Sequence, residues 1–316
     1  MRAKNIYTIL IVALLLTACN RSEPDVLDTK VALNAEVEEM IQNETRSEIG
    51  GSDIHTSASV AGMKAAVWFS ATNGGYPESN PQSPTFLPYR ADLTYDDGPT
   101  IVYTNQTSQE DPICYSVEDN SSVYCVGLYP HTDWTTNDDN TTATHIIDGK
   151  QDLMFAPQIS GKLLDKMPKQ TYSHLLPWVR FTVRAVDPES ATNWGKITSV
   201  QLVDGKGTVT ITLGTGAIAY SPLAQDGNIQ DGNIDVISAP FDLTVAIQDI
   251  GSTLCMPAEE SYKLKIVTDK GYEKELTINQ KFEAGKLYLV NLYFNSLNDI
   301  NAVCSLVPWN EENVIL

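Results

Sequence analysis

Positive charge is scarce in this chain. Its 316 residues carry 21 Lys and Arg against 40 Asp and Glu, a formal net charge of −19. Phosphate backbones are held by clustered Lys and Arg, so nucleic acid is excluded as a partner. Histidine is rarer still. His55, His131, His145 and His174 are the whole set, and none lies in an HExxH pair. Motifs of the GxSxG, GxGxxG and phosphate-loop kinds are missing, so no catalytic or cofactor-binding residue is assigned. No two cysteines have CxxC spacing and no histidine sits beside one, which leaves no zinc site. Long helical runs of Ala, Leu, Glu and Lys are lacking, while Thr, Asn, Asp, Gly and Tyr are plentiful. That balance predicts a β protein and no enzyme.

The apolar stretch from Ile6 to Leu16 is too short to cross ~30 Å of hydrocarbon. With Arg2 and Lys4 before it, the stretch has the layout of a secretory signal. It ends in Leu16-Thr17-Ala18-Cys19, small residues leading to a cysteine. The expectation is therefore a lipoprotein signal over 1–18, cut between Ala18 and Cys19, with palmitate-type acyl chains on Cys19. Each buried CH₂ contributes about 0.8 kcal/mol, so several chains hold a protein firmly on a membrane. An exported, lipid-anchored protein at the cell outer membrane is expected. Because an acidic surface repels anionic lipid, the lipid on Cys19 must be the membrane contact.

An exported location permits disulfides. Cys114, Cys125, Cys255 and Cys304 follow Cys19 and allow three full pairings. Cys114 and Cys125 flank the polar run Glu118-Asp119-Asn120-Ser121-Ser122, which reads as a hairpin tip, so a bridge between them is expected. Cys255 with Cys304 is a further candidate.

Residues 19–46 form an acidic tether. Within it, Val31 to Ile41 is ambiguous. Leu33, Val37, Met40 and Ile41 share a helical face, whereas Val31, Leu33, Ala35 and Val37 share a strand face. Beyond Gly50-Gly51 the strands begin. Ala65-Ala66-Val67-Trp68-Phe69 is a continuous apolar run of the kind buried on both faces. Gly74 to Pro88, Trp134 to Asn140 and Ser160 to Ser173 read as loops. In the second half the alternation is plain at Val179/Phe181/Val183/Ala185, Val209/Ile211/Leu213, Phe241/Leu243/Val245/Ile247 and Tyr262/Leu264/Ile266, with Leu287 to Phe294 closing the series. Alternating strands separated by turns predict antiparallel sandwiches. Two are expected, over 47–174 and 175–316.

Polar pairs such as His131 with Asp133 and His145 with Asp148 read as surface loops. Two turns, Asp226-Gly227-Asn228 and Asp231-Gly232-Asn233, lack the oxygen spacing and closing Glu of a calcium loop. Trp68, Trp178 and Trp194 read as core.

Four stretches resemble the fimbrillins, the pilin and anchor proteins of type V pili in the Bacteroidales. They are Glu44-Thr45-Arg46-Ser47; Tyr124 to Pro130 with Gln151 to Ala156; His174 to Val183; and Phe282 to Leu292 with Val307-Pro308-Trp309. The resemblance implies two transthyretin-like antiparallel β-sandwich domains and a role in surface fimbriae and adhesion. It implies processing between Arg46 and Ser47, which would remove the first strand. It also implies strand exchange with other fimbrial subunits, through a groove that a neighbour's strand fills. Only residues 310–316 follow Trp309, so a terminal donor strand must include Asp299 to Val307. Whether the subunit is stalk, tip or anchor stays open, as does its host or bacterial ligand. The other reading is a surface glycan-binding lipoprotein without a pilus role, which wants tryptophans exposed on one face.

Overall fold

The computed structural model describes residues 28–38, 59–76, 89–103, 112–223, 232–296 and 299–307. Within them the protein is almost entirely β. The first half supplies β1 (Ala32–Leu33), β2 (Ala35–Val37), β3 (Lys64–Ser70), β4 (Tyr89–Thr94), β5 (Thr100–Ile101), β6 (Val123–Tyr129), β7 (Thr135–Thr136), β8 (Thr142–Ile147), β9 (Met154–Gly161) and β10 (Gln170–His174). The second half supplies β11 (Trp178–Ala185), a short helix α1 (Pro188–Trp194), β12 (Lys196–Val203), β13 (Gly207–Thr212), β14 (Ala217–Pro222), β15 (Ile234–Asp235) and β16 (Phe241–Asp242). It ends with β17 (Gln248–Leu254), β18 (Tyr262–Thr268), β19 (Glu273–Ile278), β20 (Leu287–Phe294) and β21 (Ile300–Val307).

A six-stranded sheet in the order β2-β10-β9-β6-β3-β4 and the pair β1-β5 enclose the first core. Val67, Phe69, Leu93, Tyr95, Cys125 and Tyr172 fill it. In the second half, β17-β11-β20-β21 faces a sheet in which β15-β12-β18-β19 run side by side and β16 also pairs with β12. Phe181, Val200, Leu264, Val290 and Phe294 lie between them. Ladders are antiparallel except β2 with β10 and β11 with β20, which are parallel. Helix α1 is set by local chemistry. Asp187 caps it by accepting from the Ser190 amide at 2.7 Å, Pro188 opens it, and Gly195 ends it at φ 74°.

The halves are joined by a sheet in the order β14-β13-β8-β7, in which β8 of the first half pairs with β13 of the second over six residues. Beneath it lies a third core, built by Trp68, Val126, Leu128, Trp134 and Phe155 from one half and Trp178, Val209, Ile211, Leu254 and Leu287 from the other. This explains the continuous apolar run at Ala65–Phe69. Ala65, Val67 and Phe69 face the first core, while Ala66 and Trp68 face the third. Trp68, Trp178 and Trp194 are all buried, as expected.

Several local expectations change. The segment 241–247 forms only the two-residue β16, with Val245 exposed, and the long strand starts later, at Gln248. Gly251 adopts φ 128° and the β11–β17 register shifts beside it, so the periodicity is broken where the strand lies. Two stretches read as loops contain strands: β7 and the hairpin to β8 after Trp134, and β10 before His174.

Candidate functional site

The first described segment is built into the first half by backbone bonds to both of its sheets. It is a strand, which settles the ambiguity at Val31 to Val37. Residues 28–33 are bound from one side. The Val31 amide donates to Ile113 O at 2.8 Å, the Val31 carbonyl accepts from Val102 N at 3.0 Å, and the Tyr115 amide donates to Thr29 O at 2.7 Å. Ala32 and Leu33 pair antiparallel with Ile101 and Thr100. The chain then crosses to the other sheet. Asn34 O accepts from Gln170 N at 2.8 Å, Ala35 to Val37 run parallel to Gln170 to Tyr172, and the Glu38 amide donates to Tyr172 O at 2.8 Å. Backbone groups of one short segment thus tie two sheets together.

Its side chains alternate as a half-buried strand requires. Val31 and Leu33 are fully buried and Val37 nearly so, while Glu36 faces water. The Glu36 carboxylate takes the Lys169 ammonium at 2.8 Å and the Thr171 hydroxyl at 2.9 Å. These bonds, the Lys169 one foremost, hold its pKa below the usual carboxylate range. Lys166 donates to Asp28 O at the segment's start. Exposed pairs of this kind contribute little, so the buried Val and Leu side chains carry the attachment.

Beside the segment, β10 presents a buried polar cluster. The Tyr95 hydroxyl donates to Gln170 Oε1 at 2.8 Å and shares a hydrogen bond with the Tyr172 hydroxyl at 3.1 Å. Burial raises the pKa of both phenols, so they stay protonated. Gln170 Nε2 is buried without a partner.

At the far end of the chain, β21 pairs with β20 over all eight residues, from Leu287 opposite Val307 to Phe294 opposite Ile300. Ile300, Ala302 and Cys304 pack on the second core, whereas Val303 and Leu306 are more than half exposed. Burial pushes the Cys304 thiol up to about 11.

Cys19, Ala18, Arg46 and Ser47 lie outside the described residues, as do His55, Trp309 and most of the Asp-Gly-Asn repeat. The bridge expected between Cys114 and Cys125 is not formed, and both are free thiols. Strand alternation sends Cys125 into the first core, while Cys114 is exposed, its Sγ donating to Pro112 O at 3.5 Å. The run between them bends instead of closing a hairpin that would set the two opposite each other. Cys255 and Cys304 are likewise free.

The histidines have other partners than sequence proximity suggests. His145 is buried against Trp134, ring centroids 5.0 Å apart, and its Nδ1 lies 2.7 Å from Ile146 O. Asp148 instead accepts from the Lys150 and Gln151 amides in a turn. The His131 carbonyl accepts from Arg90 at 2.7 Å. Sequence reading missed the buried pair of His174 and Asp152, whose Nδ1 and Oδ2 are 2.9 Å apart. Twenty-two positions separate them, and only the pairing of β9 with β10 brings them together. Among the described residues no group of three or more His, Cys, Asp or Glu could hold a metal ion, and no helix is long and apolar enough to cross a membrane.

Among the described residues the chain is thus nearly all β, with a short segment bridging two sheets at one end and the uncharged strand β21 along one edge. The chain belongs to the fimbrillin-like family, whose model matches residues 76–309. No curated protein matches it in sequence. Its fold is similar to that of a candidate cell adhesion protein from Bacteroides uniformis ATCC 8492, at 18% identity, 91% coverage of this chain and 100% of that one, with a TM-score of 0.55. A candidate cell adhesion protein from Bacteroides ovatus ATCC 8483 is similar at 14% identity, 90% and 99% coverage, and a TM-score of 0.51.

Proposed function

We propose that this protein is a subunit of a cell-surface fimbria serving adhesion, and that its first strand is a removable plug. The seating of residues 28–38 in a fimbrillin-like chain carries this reading. Acyl chains on Cys19 bring the precursor to the outer membrane. A protease cutting between Arg46 and Ser47 then releases the tether together with β1 and β2. The slot left behind exposes the surfaces that Val31, Leu33 and Val37 cover. Fully burying such side chains contributes about 1.5–3 kcal/mol each. Their sum is of the order of a whole domain's stability, about 5–15 kcal/mol, so an empty slot does not persist.

A strand from a neighbouring fimbrial subunit fills it, restoring the lost backbone bonds and apolar contacts. Strand β21 suits the task. It is uncharged, every second residue from Ile300 to Cys304 faces inward, and among the described residues its one ladder is to β20. The adhesion target is a host or bacterial surface ligand. The glycan-binding alternative gains no support from the tryptophans, since all four described are buried.

N-terminal sequencing of the surface protein and an unboiled denaturing gel test the proposal. A start at Ser47 with a ladder of multimers is expected. An acylated Cys19 start without a ladder would make the lipid a permanent foot and the plug a fixed strand. Loss of polysaccharide binding, with fimbriae intact, in a strain lacking the protein would overturn the fimbrial reading.

A further inference from the structure

The joining sheet ends on β14, and that edge differs from the other edges of three or more residues. Strands β2, β4, β17 and β19 carry charges along their length: Glu36, Arg90 with Asp92, Asp249, and Glu273 to Glu275. Such charges keep sheet edges from pairing with other chains. Strand β21 is uncharged but lies against β19. Strand β14 reads Ala-Ile-Ala-Tyr-Ser-Pro, and β13 is its one ladder partner among the described residues. From Gly207 to Leu223 there is no charged side chain at all, in a chain of net charge −19.

The two sides of β14 are also unequal. Ile218 pairs with Ile211 and Tyr220 with Val209, so both stand on the side of the third core. Tyr220 packs on that core and donates to Leu175 O at 2.7 Å. Ile218 lies further out and is 43% exposed.

We propose that β14 is the interface for a second copy of this chain, joined edge to edge about a twofold axis. Two strongly acidic molecules repel wherever their surfaces carry charge. A neutral stretch meeting itself places no like charges opposite each other. Antiparallel pairing centred on Ala219 sets Ala219 against its own copy, so the backbones approach without obstruction. It also sets Ile218 beside Tyr220 of the second copy, an aliphatic–aromatic cross-strand pair of the stabilising kind. The third core then continues across the axis and Ile218 loses its exposure. The product is one eight-stranded sheet, and it closes at two copies because the contact is isologous. The arrangement does not require the first strand to leave, so it stands apart from the plug proposal.

Light scattering on the exported protein in detergent, with the micelle mass subtracted, tests it. A mass that rises from one to two copies with concentration is expected. Ala219→Lys should weaken pairing at least tenfold while leaving the melting temperature of the single copy and any ladder of multimers unchanged. Val303→Lys, on the β21 edge, should leave pairing intact. Amide exchange over Ala217 to Ser221 should slow as pairs form. A single-copy mass at every concentration, or pairs that survive Ala219→Lys, overturns the proposal. Slow exchange there at single-copy mass overturns it too, because another segment then covers the edge.

Discussion

The hydroxyl of Tyr172 stands where a side chain on Gly127 would have to be: a Cβ built on Gly127 would lie 2.2 Å from it. Gly127 is in β6 and Tyr172 in β10, the strand that holds the first segment. A bare backbone at position 127 therefore makes room for the Tyr95–Gln170–Tyr172 cluster. Gly127→Ala should destabilise the first half by about 1–3 kcal/mol, because a rigid, fully buried ring has nowhere to retreat. Urea denaturation of the variant against the parent reads this directly, and a change under 0.5 kcal/mol would refute the close fit (an order-of-magnitude bound).

The first segment should separate burial from charge. Leu33→Ala removes a fully buried side chain and should cost about 2–5 kcal/mol. Glu36→Gln removes an exposed ion pair to Lys169 and should cost less than about 1 kcal/mol. Paired thermal melts check the ranking. The reverse order would mean that the segment is held electrostatically.

Stability at the joint should fall below neutral pH. Burial lowers the pKa of His145, against smaller opposing influences from Ile146 O, Asp133 and Asp148. In the unfolded chain this histidine takes a proton near pH 6.5, whereas in the folded protein it does so only at lower pH. The unfolded state is thus favoured as pH drops through about 6.5, and the loss levels off below the folded value. His145→Gln should flatten this part of the profile. Urea midpoints between pH 7.5 and 5.5 for parent and variant isolate the effect from His131 and His174, which both proteins share.

Thiol reactivity should rank by burial. Cys114 is exposed and should react first with iodoacetamide at pH 8. Cys304, pushed up to about 11, should follow slowly. Burial raises Cys125 and Cys255 well above an ordinary thiol, and they should react only on unfolding. Peptide mass mapping over time gives the order, and early modification of Cys125 would contradict its place in the core.

The sequence made some strands plain and concealed others for one reason. Val179 to Ala185 and Tyr262 to Ile266 each bury one face, so period-two alternation survives. Ala65–Phe69 was legible as a strand buried on both faces, yet the make-up of its second core was not, because that core draws on residues from both halves. Strand β8 reads Thr-Ala-Thr-His-Ile-Ile and finds its partner β13 more than sixty positions later, where Thr144 and Thr210 share a hydrogen bond at 2.9 Å. The first segment was ambiguous because Leu33 and Val37 fit either period. Partners at Ile101, Ile113 and Tyr172 decide it, and none is local. For the disulfide, spacing and the polar run between the cysteines suggested a hairpin, but that run bends and leaves Cys114 exposed and Cys125 buried.

The β8–β13 ladder has a mechanical consequence. The covalent crossing between the halves runs through residues 175–177, a few bonds that could swivel on their own. Six paired residues and a shared core instead fasten the halves along a second line, so torque at one end reaches the other without a pivot. Drag from flowing liquid would load this seam as a weld, and the stiffness of the whole would be set by the ladder and the core beneath it rather than by the chain that connects the halves.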